Sequence, residues 1–133
     1  MNSFSGHISE IEVNGSLSLV TVALNEEVKL KSIVIETPDT AGYLALDSPI
    51  NVLFKETEVI LGIGDQLDVS LENKIKGTIK SLEKGTLLGK VVVQTSIGAV
   101  TAIVSAGSME QLALKSGMKV SVMIKSNEIM LAE

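Results

Sequence analysis

With 133 residues, no cysteine, a single histidine and a formal net charge of −5, the chain lacks the means for disulfides, thiolate catalysis or a Cys/His zinc site. All 11 basic residues are lysines and only 2% of residues are aromatic. This argues against a nucleic-acid surface, which needs a basic stripe or a row of stacking rings.

In chain order, residues 5–13 and 17–24 are rich in aliphatic and β-branched side chains with polar residues between them, and Asn14-Gly15 predicts a two-residue hairpin turn. Lys29–Ile35 reads as an apolar strand. Thr37-Pro38 then signals a short helical turn, with proline at the favoured first helical position. Pro49–Lys55 and Glu58–Leu61 predict two more strands, and Gly62-Ile63-Gly64-Asp65-Gln66 reads as a link. Beyond it the plan returns: Lys76–Glu83, a turn at Lys84-Gly85, then Gly89–Thr95 and Ala99–Val104. A capping-box pattern, Ser108-Met109-Glu110-Gln111, opens a short helix, and Lys119–Lys125 and Glu128–Leu131 close the chain. No stretch approaches the roughly 20 apolar residues that span a bilayer, and Met1–Gly6 has neither the basic nor the apolar part of a leader. The expectation is a cytoplasmic protein with no membrane partner.

The return is close to literal. Gly6-His7-Ile8-Ser9-Glu10-Ile11-Glu12 reappears as Gly77-Thr78-Ile79-Lys80-Ser81-Leu82-Glu83, and Phe54-Lys55-Glu56-Thr57-Glu58-Val59-Ile60-Leu61 as Ile124-Lys125-Ser126-Asn127-Glu128-Ile129-Met130-Leu131. A unit this long, present twice, indicates a duplicated small domain rather than a solenoid, with units at 1–64 and 67–133. Units of this size have marginal cores and need each other or another subunit. About five short strands and one short helix in each predict an all-β chain of two small OB-like barrels, because a flat sheet would leave apolar edges unpaired. The first 66 residues carry 3 Lys against 10 Asp/Glu and the remainder 8 against 6, so the halves differ in charge.

Candidate chemistry is sparse. Lys125-Ser126 sets an ammonium and a hydroxyl where a strand turns, although a lysine at a strand end is ordinarily just solvated. Ser70 and Asn73 precede Gly77, and Thr101, Ser105 and Ser108 lie around the start of the helix, where hydroxyls and orphan N–H groups suit an oxyanion. Ser108 could equally be a plain cap and Thr101 a plain strand residue. Gly85-Thr86-Leu87-Leu88-Gly89-Lys90 is one residue too short for a phosphate loop and lacks its Ser/Thr. Asn14-Gly15-Ser16 is a turn rather than a glycosylation site. His7 stands alone, and no acid, base and nucleophile converge, so the chain is not expected to be an enzyme.

Asn73-Lys74-Ile75-Lys76-Gly77-Thr78-Ile79, Val100-Thr101-Ala102-Ile103-Val104, Ser108–Gly117 and Val122–Leu131 together resemble the Mop/TOBE domain of the molbindin family across residues 68–133. Asn2-Ser3-Phe4-Ser5-Gly6, Leu44-Ala45-Leu46 and Leu53–Leu61 resemble it more weakly, so the whole chain is similar to a tandem, di-Mop molbindin. The resemblance implies OB-like barrels, homo-oligomers (trimers of two-domain chains), and molybdate or tungstate held at domain or subunit interfaces for intracellular molybdenum storage and homeostasis. It implies an oxyanion site of Ser70, Asn73, Thr101, Ser105, Ser108, Lys125 and Ser126, with no metal coordinated directly by side chains. A second set would comprise Asn2, Ser3, Lys31 and Lys55. The family's entry segment commonly reads Ser-x-Arg-Asn where this chain has Ser70-Leu71-Glu72-Asn73, which sets a carboxylate near a dianion. The competing expectation is a module that kept the fold and lost the ligand, serving oligomerisation or regulation as in molybdate sensors and transporter ATPase tails.

Overall fold

The computed structural model describes residues 1–64 and 68–133. Asp65 and Gln66 of the expected link, and Leu67 at the start of the expected second unit, lie outside them. The described residues form ten strands: β1 (Asn2–Asn14), β2 (Leu17–Ala23), β3 (Lys29–Val34), β4 (Pro49–Phe54), β5 (Ile60–Ile63), β6 (Asn73–Lys84), β7 (Leu88–Thr95), β8 (Gly98–Ser105), β9 (Lys119–Ile124) and β10 (Met130–Ala132). One helix, α1 (Ala106–Gln111), follows β8.

The strands form two antiparallel five-stranded sheets, ordered β10-β4-β1-β2-β3 and β5-β9-β6-β7-β8. The last strand of each repeat has therefore changed sheets. Ile60 of β5 lies opposite Met123 of β9, and Met130 of β10 lies opposite Leu53 of β4, so the exchange is reciprocal. Each long first strand serves two neighbours. β1 pairs with β4 from Asn2 to His7 and with β2 from His7 to Asn14, with a register shift between Ile8 and Glu10. β6 repeats this with a shift between Ile79 and Ser81. An extra residue at that point bends the strand and lets a short sheet curl toward closure.

Closure uses the borrowed segments. β3 ends the first sheet, and the Ile33 N–H donates to the Ser126 carbonyl at 3.0 Å while Ser32 Oγ donates to the Ile129 carbonyl at 2.6 Å. The chain running into β10 thus seals β3. At the other end of the molecule β8 packs against the 3-10 turn Glu56–Glu58 that runs into β5. Each sheet is closed by chain lent from the other repeat, which is why one apolar core runs through both: Ile8, Val22, Leu30, Val52 and Phe54 belong to the same cluster as Ile75, Val93, Val100, Val122 and Ile124.

Two local expectations shift. The hairpin loop is Gly15-Ser16, since Asn14 already pairs with Leu17, and Gly15 takes φ +64°, as a primed turn led by glycine requires. Among the described residues the short α-helix expected after the third strand is present only in the second repeat. There Ser105 Oγ accepts the Ser108 N–H at 3.0 Å, whereas the equivalent positions are Ile35, with no capping oxygen, and Pro38, with no N–H. Residues 38–40 form turns instead, closed by the Thr40 and Ala41 N–H groups on the Thr37 carbonyl.

Gly6 and Gly77 stand where neighbouring chain passes closely. A Cβ on Gly6 would lie 2.4 Å from the Ala23 carbonyl oxygen, and one on Gly77 2.4 Å from Val93 Cγ1. Gly6→Ala, whose Cβ meets backbone at 2.4 Å, is expected to cost about 1–3 kcal/mol and more than Gly77→Ala, whose tightest contact is a side chain and whose nearest backbone atom, the Gln94 carbonyl oxygen, is 2.9 Å away. Urea midpoints of the two variants check the order.

Candidate functional site

The sequence-derived candidates fall into two clusters that repeat one design across the pseudo-twofold exchange. Asn73, at the entry of β6, is 1% exposed. Its Oδ1 accepts the Lys31 N–H at 2.8 Å and its Nδ2 donates to the Lys31 carbonyl at 2.9 Å. Asn2, at the entry of β1, treats Thr101 identically, accepting its N–H and donating to its carbonyl, both at 2.9 Å. Each amide acts as one residue of an added strand on the outermost strand of the other sheet. Buried backbone groups need partners, and these side chains supply them.

Around Asn73 the first cluster collects Lys31, Glu72, Lys125 and Ser126. Asn73 pairs with Ile124 across β6 and β9, which brings the Lys125-Ser126 turn alongside, and the Ser126 carbonyl holds β3 through Ile33. The turn is tightened by the Glu128 N–H donating to the Lys125 carbonyl at 3.0 Å. Lys125 is exposed and Ser126 half-buried. Among the described residues the Lys125 ammonium makes no ion pair. Lys31 Nζ lies 3.0 Å from Glu72 Oε2, and this carboxylate, hydrogen-bonded to it, raises the Lys31 pKa above the ordinary lysine value; Glu10 and Glu12 contribute smaller shifts in the same direction.

The second cluster gathers Asn2, Lys55, Glu56 and Thr101. The Lys55 turn is held by its N–H donating to Glu58 Oε1 at 2.9 Å and its carbonyl accepting the Glu58 N–H at 3.0 Å. Glu56 stands where the first cluster has Ser126, and its carboxylate meets the Met1 ammonium at 2.7 Å, a contact that holds its pKa below the usual carboxylate range. Ser3, the residue after Asn2, is exposed on β1 opposite Leu53.

The grouping differs from the expected one in two ways. Thr101 sits with Asn2 and Lys55, and Lys31 with Asn73 and Lys125, because the outer strands β3 and β8 are clamped by the other repeat. Ser105 and Ser108 lie away from both clusters. Ser105 caps α1, accepting the N–H of Ser108 inside the helix and donating its Oγ to Ser108 Oγ at 2.8 Å, and Ser105 is four residues along β8 from Thr101, about 13 Å at strand rise. Near them Lys84 and Glu110 form an ion pair. Ser70 is exposed, two residues before Glu72. Glu56 is the residue that sequence reasoning passed over. The signal was the alignment of 54–61 with 124–131, which sets it opposite Ser126.

Chemically, each cluster offers a lysine on a rigid turn, with hydroxyl or backbone groups beside it and one carboxylate already neutralised by an ammonium. That is equipment for holding an anion. Phe54 is fully buried and stacks on Phe4 at 6.0 Å, so the phenylalanines serve the interior. Among the described residues no three His, Asp or Glu side chains converge to hold a metal ion, and no helix is long and apolar enough to cross a membrane.

The TOBE domain model matches residues 70–131. Over 66 residues, 49% of this chain and 97% of the relative, the chain is 33% identical to molybdenum-pterin-binding protein 1 of Clostridium pasteurianum. It is 32% identical to molybdenum-pterin-binding protein 2 of the same organism, over the same length and shares. Among solved structures, the molybdate-bound crystal form of the cytoplasmic molybdate-binding protein ModG superposes with a TM-score of 0.90 at 25% identity, covering 98% of this chain and 94% of that one.

Proposed function

The chain belongs to the molbindin family of Mop/TOBE domains, and from that premise we propose that it is a non-catalytic cytoplasmic binder of molybdate or tungstate, serving intracellular storage. The units are residues 1–64 and 67–133, and the working form is a homo-oligomer, taken as a trimer, with neither nucleic acid nor membrane as partner. The observation that carries this reading is the twofold recurrence of a lysine-bearing turn set against the other repeat's clamped strand, in a chain whose likeness to molybdate-bound ModG runs along its whole length.

A tetrahedral dianion beside Lys125 would accept charge-assisted hydrogen bonds from that ammonium, from Ser126 and from neighbouring N–H groups. The other cluster would use Lys55 and Thr101. Ser70 and Ser3, exposed beside the entries of β6 and β1, are available to complete the shells, and Ser105 and Ser108 could contribute only from an adjoining subunit. Sulfate carries the same charge, so discrimination must come from cavity size and fixed donor positions.

Native mass spectrometry with molybdate, tungstate and sulfate tests the proposal. Discrete adducts of the first two on an oligomer are expected, together with thermal stabilisation, since a ligand at 100 times its Kd adds about 2.7 kcal/mol to a native state that alone binds it. An oligomer with no adducts and an unchanged melting temperature would favour the second reading, a module that kept the fold and lost the ligand. The observation on that side is the presence of Glu72 and Glu56 in the two clusters.

A further inference from the structure

The first cluster contains a cation that is already engaged. Lys31 Nζ reaches Glu72 Oε2 at 3.0 Å, and the two residues are tied at their roots, because Asn73, next to Glu72, clamps the Lys31 backbone. The pair is therefore rebuilt each time it opens. Its side chains are 37% and 64% exposed, and an ion pair in that setting is weak and exchanges readily. The Ser126 carbonyl bonds the Ile33 N–H on the same strand, two residues from Lys31, so an anion seated at the Lys125-Ser126 turn lies within a lysine's reach of β3.

We propose that Glu72 is an internal competitor of the oxyanion for Lys31: its carboxylate occupies the ammonium in the free protein, and the anion must displace it to gain that donor. The inference rests on the oxyanion reading above. The second cluster has no such lysine on its clamped strand, since Thr101 replaces Lys31; the ammonium engaged there is that of Met1, held by Glu56. Two consequences attend displacement. The carboxylate loses its partner, and it is left facing a double negative charge. At about 7 Å in well-solvated surroundings, screened by salt over a Debye length of about 8 Å, that repulsion alone corresponds to only about a two- to threefold loss of affinity. The device makes a site that takes the anion when it is abundant and lets it go when it is scarce.

The test is a double-mutant cycle on the full chain, with Glu72→Gln, Lys31→Ala and the double variant titrated with molybdate by calorimetry and counted by native mass spectrometry. Glu72→Gln is expected to tighten about tenfold the binding at those sites that Lys125→Ala weakens. In the Lys31→Ala background the gain should shrink below about threefold, because the donor in dispute is gone. An unchanged affinity in Glu72→Gln, with the wild type binding molybdate, overturns the competition and leaves the oxyanion reading standing. A gain equally large with and without Lys31 also overturns it, reducing Glu72 to a source of repulsion. Absence of binding in wild type and Glu72→Gln alike overturns the oxyanion reading and this inference with it. Glu72 is exposed, and unchanged urea midpoints of the variants confirm that folding is not what the titrations report.

Discussion

Asn73→Ala is expected to lower the unfolding free energy by about 2–4 kcal/mol. The amide is buried and makes two short hydrogen bonds to one residue of β3, and truncation leaves the Lys31 N–H and carbonyl without their partner. The cost of an unpaired buried group exceeds the net worth of the bond it loses, which puts this variant among the severe ones. Asn73→Asp should fare no better, because a carboxylate can accept the N–H but would set a negative oxygen against the Lys31 carbonyl. Amide hydrogen exchange gives the local signature: protection at Lys31 should fall by more than the global change, while Asn2→Ala should do the same at Thr101. Retained protection at Lys31 in Asn73→Ala would mean that β3 is held by other contacts and that the clamp is incidental.

The strands were legible because their patterning is strong and repeated. Lys29–Ile35 was expected and Lys29–Val34 observed, and Lys119–Lys125 expected against Lys119–Ile124. The exchange of β5 and β10 was not legible, and the duplication itself is the reason. Ile60-Leu61 and Met130-Leu131 carry the same pattern and fit either β4 or β9, so side-chain periodicity cannot choose between partners. The choice is made by the chain path through Glu56–Glu58 and Asn127–Ile129, which carries each last strand across to the other sheet. The difference in grouping follows directly, because a site drawn within one repeat pairs Asn73 with Thr101, while the exchanged path pairs it with Lys31. Ser105 carries a signal with two readings. An oxygen at a helix start suits an anion, but here it is spent on the Ser108 N–H, and sequence alone does not separate the two uses.

Lys125→Ala is expected to weaken molybdate binding about 10- to 100-fold, the worth of one charge-assisted hydrogen bond to a dianion. Its backbone is pinned on both sides, the carbonyl by the Glu128 N–H and the next carbonyl by Ile33 of β3, so the ammonium is presented from a turn that has little freedom left to lose on binding. Lys31, by contrast, is engaged by Glu72, which leaves Lys125 as the cation at that cluster with no competing partner among the described residues. Because the side chain is exposed and the turn is held by backbone groups, the urea midpoint should not move. Lys125→Arg should restore part of the affinity, since the charge returns with a different geometry. Lys55→Ala reports separately on the other cluster, and if the two are distinct sites the adduct count should fall in each single variant and fall again in the double. Equal affinity in Lys125→Ala and wild type would remove the anion from this turn altogether and leave the second cluster, around Lys55 and Thr101, as its seat.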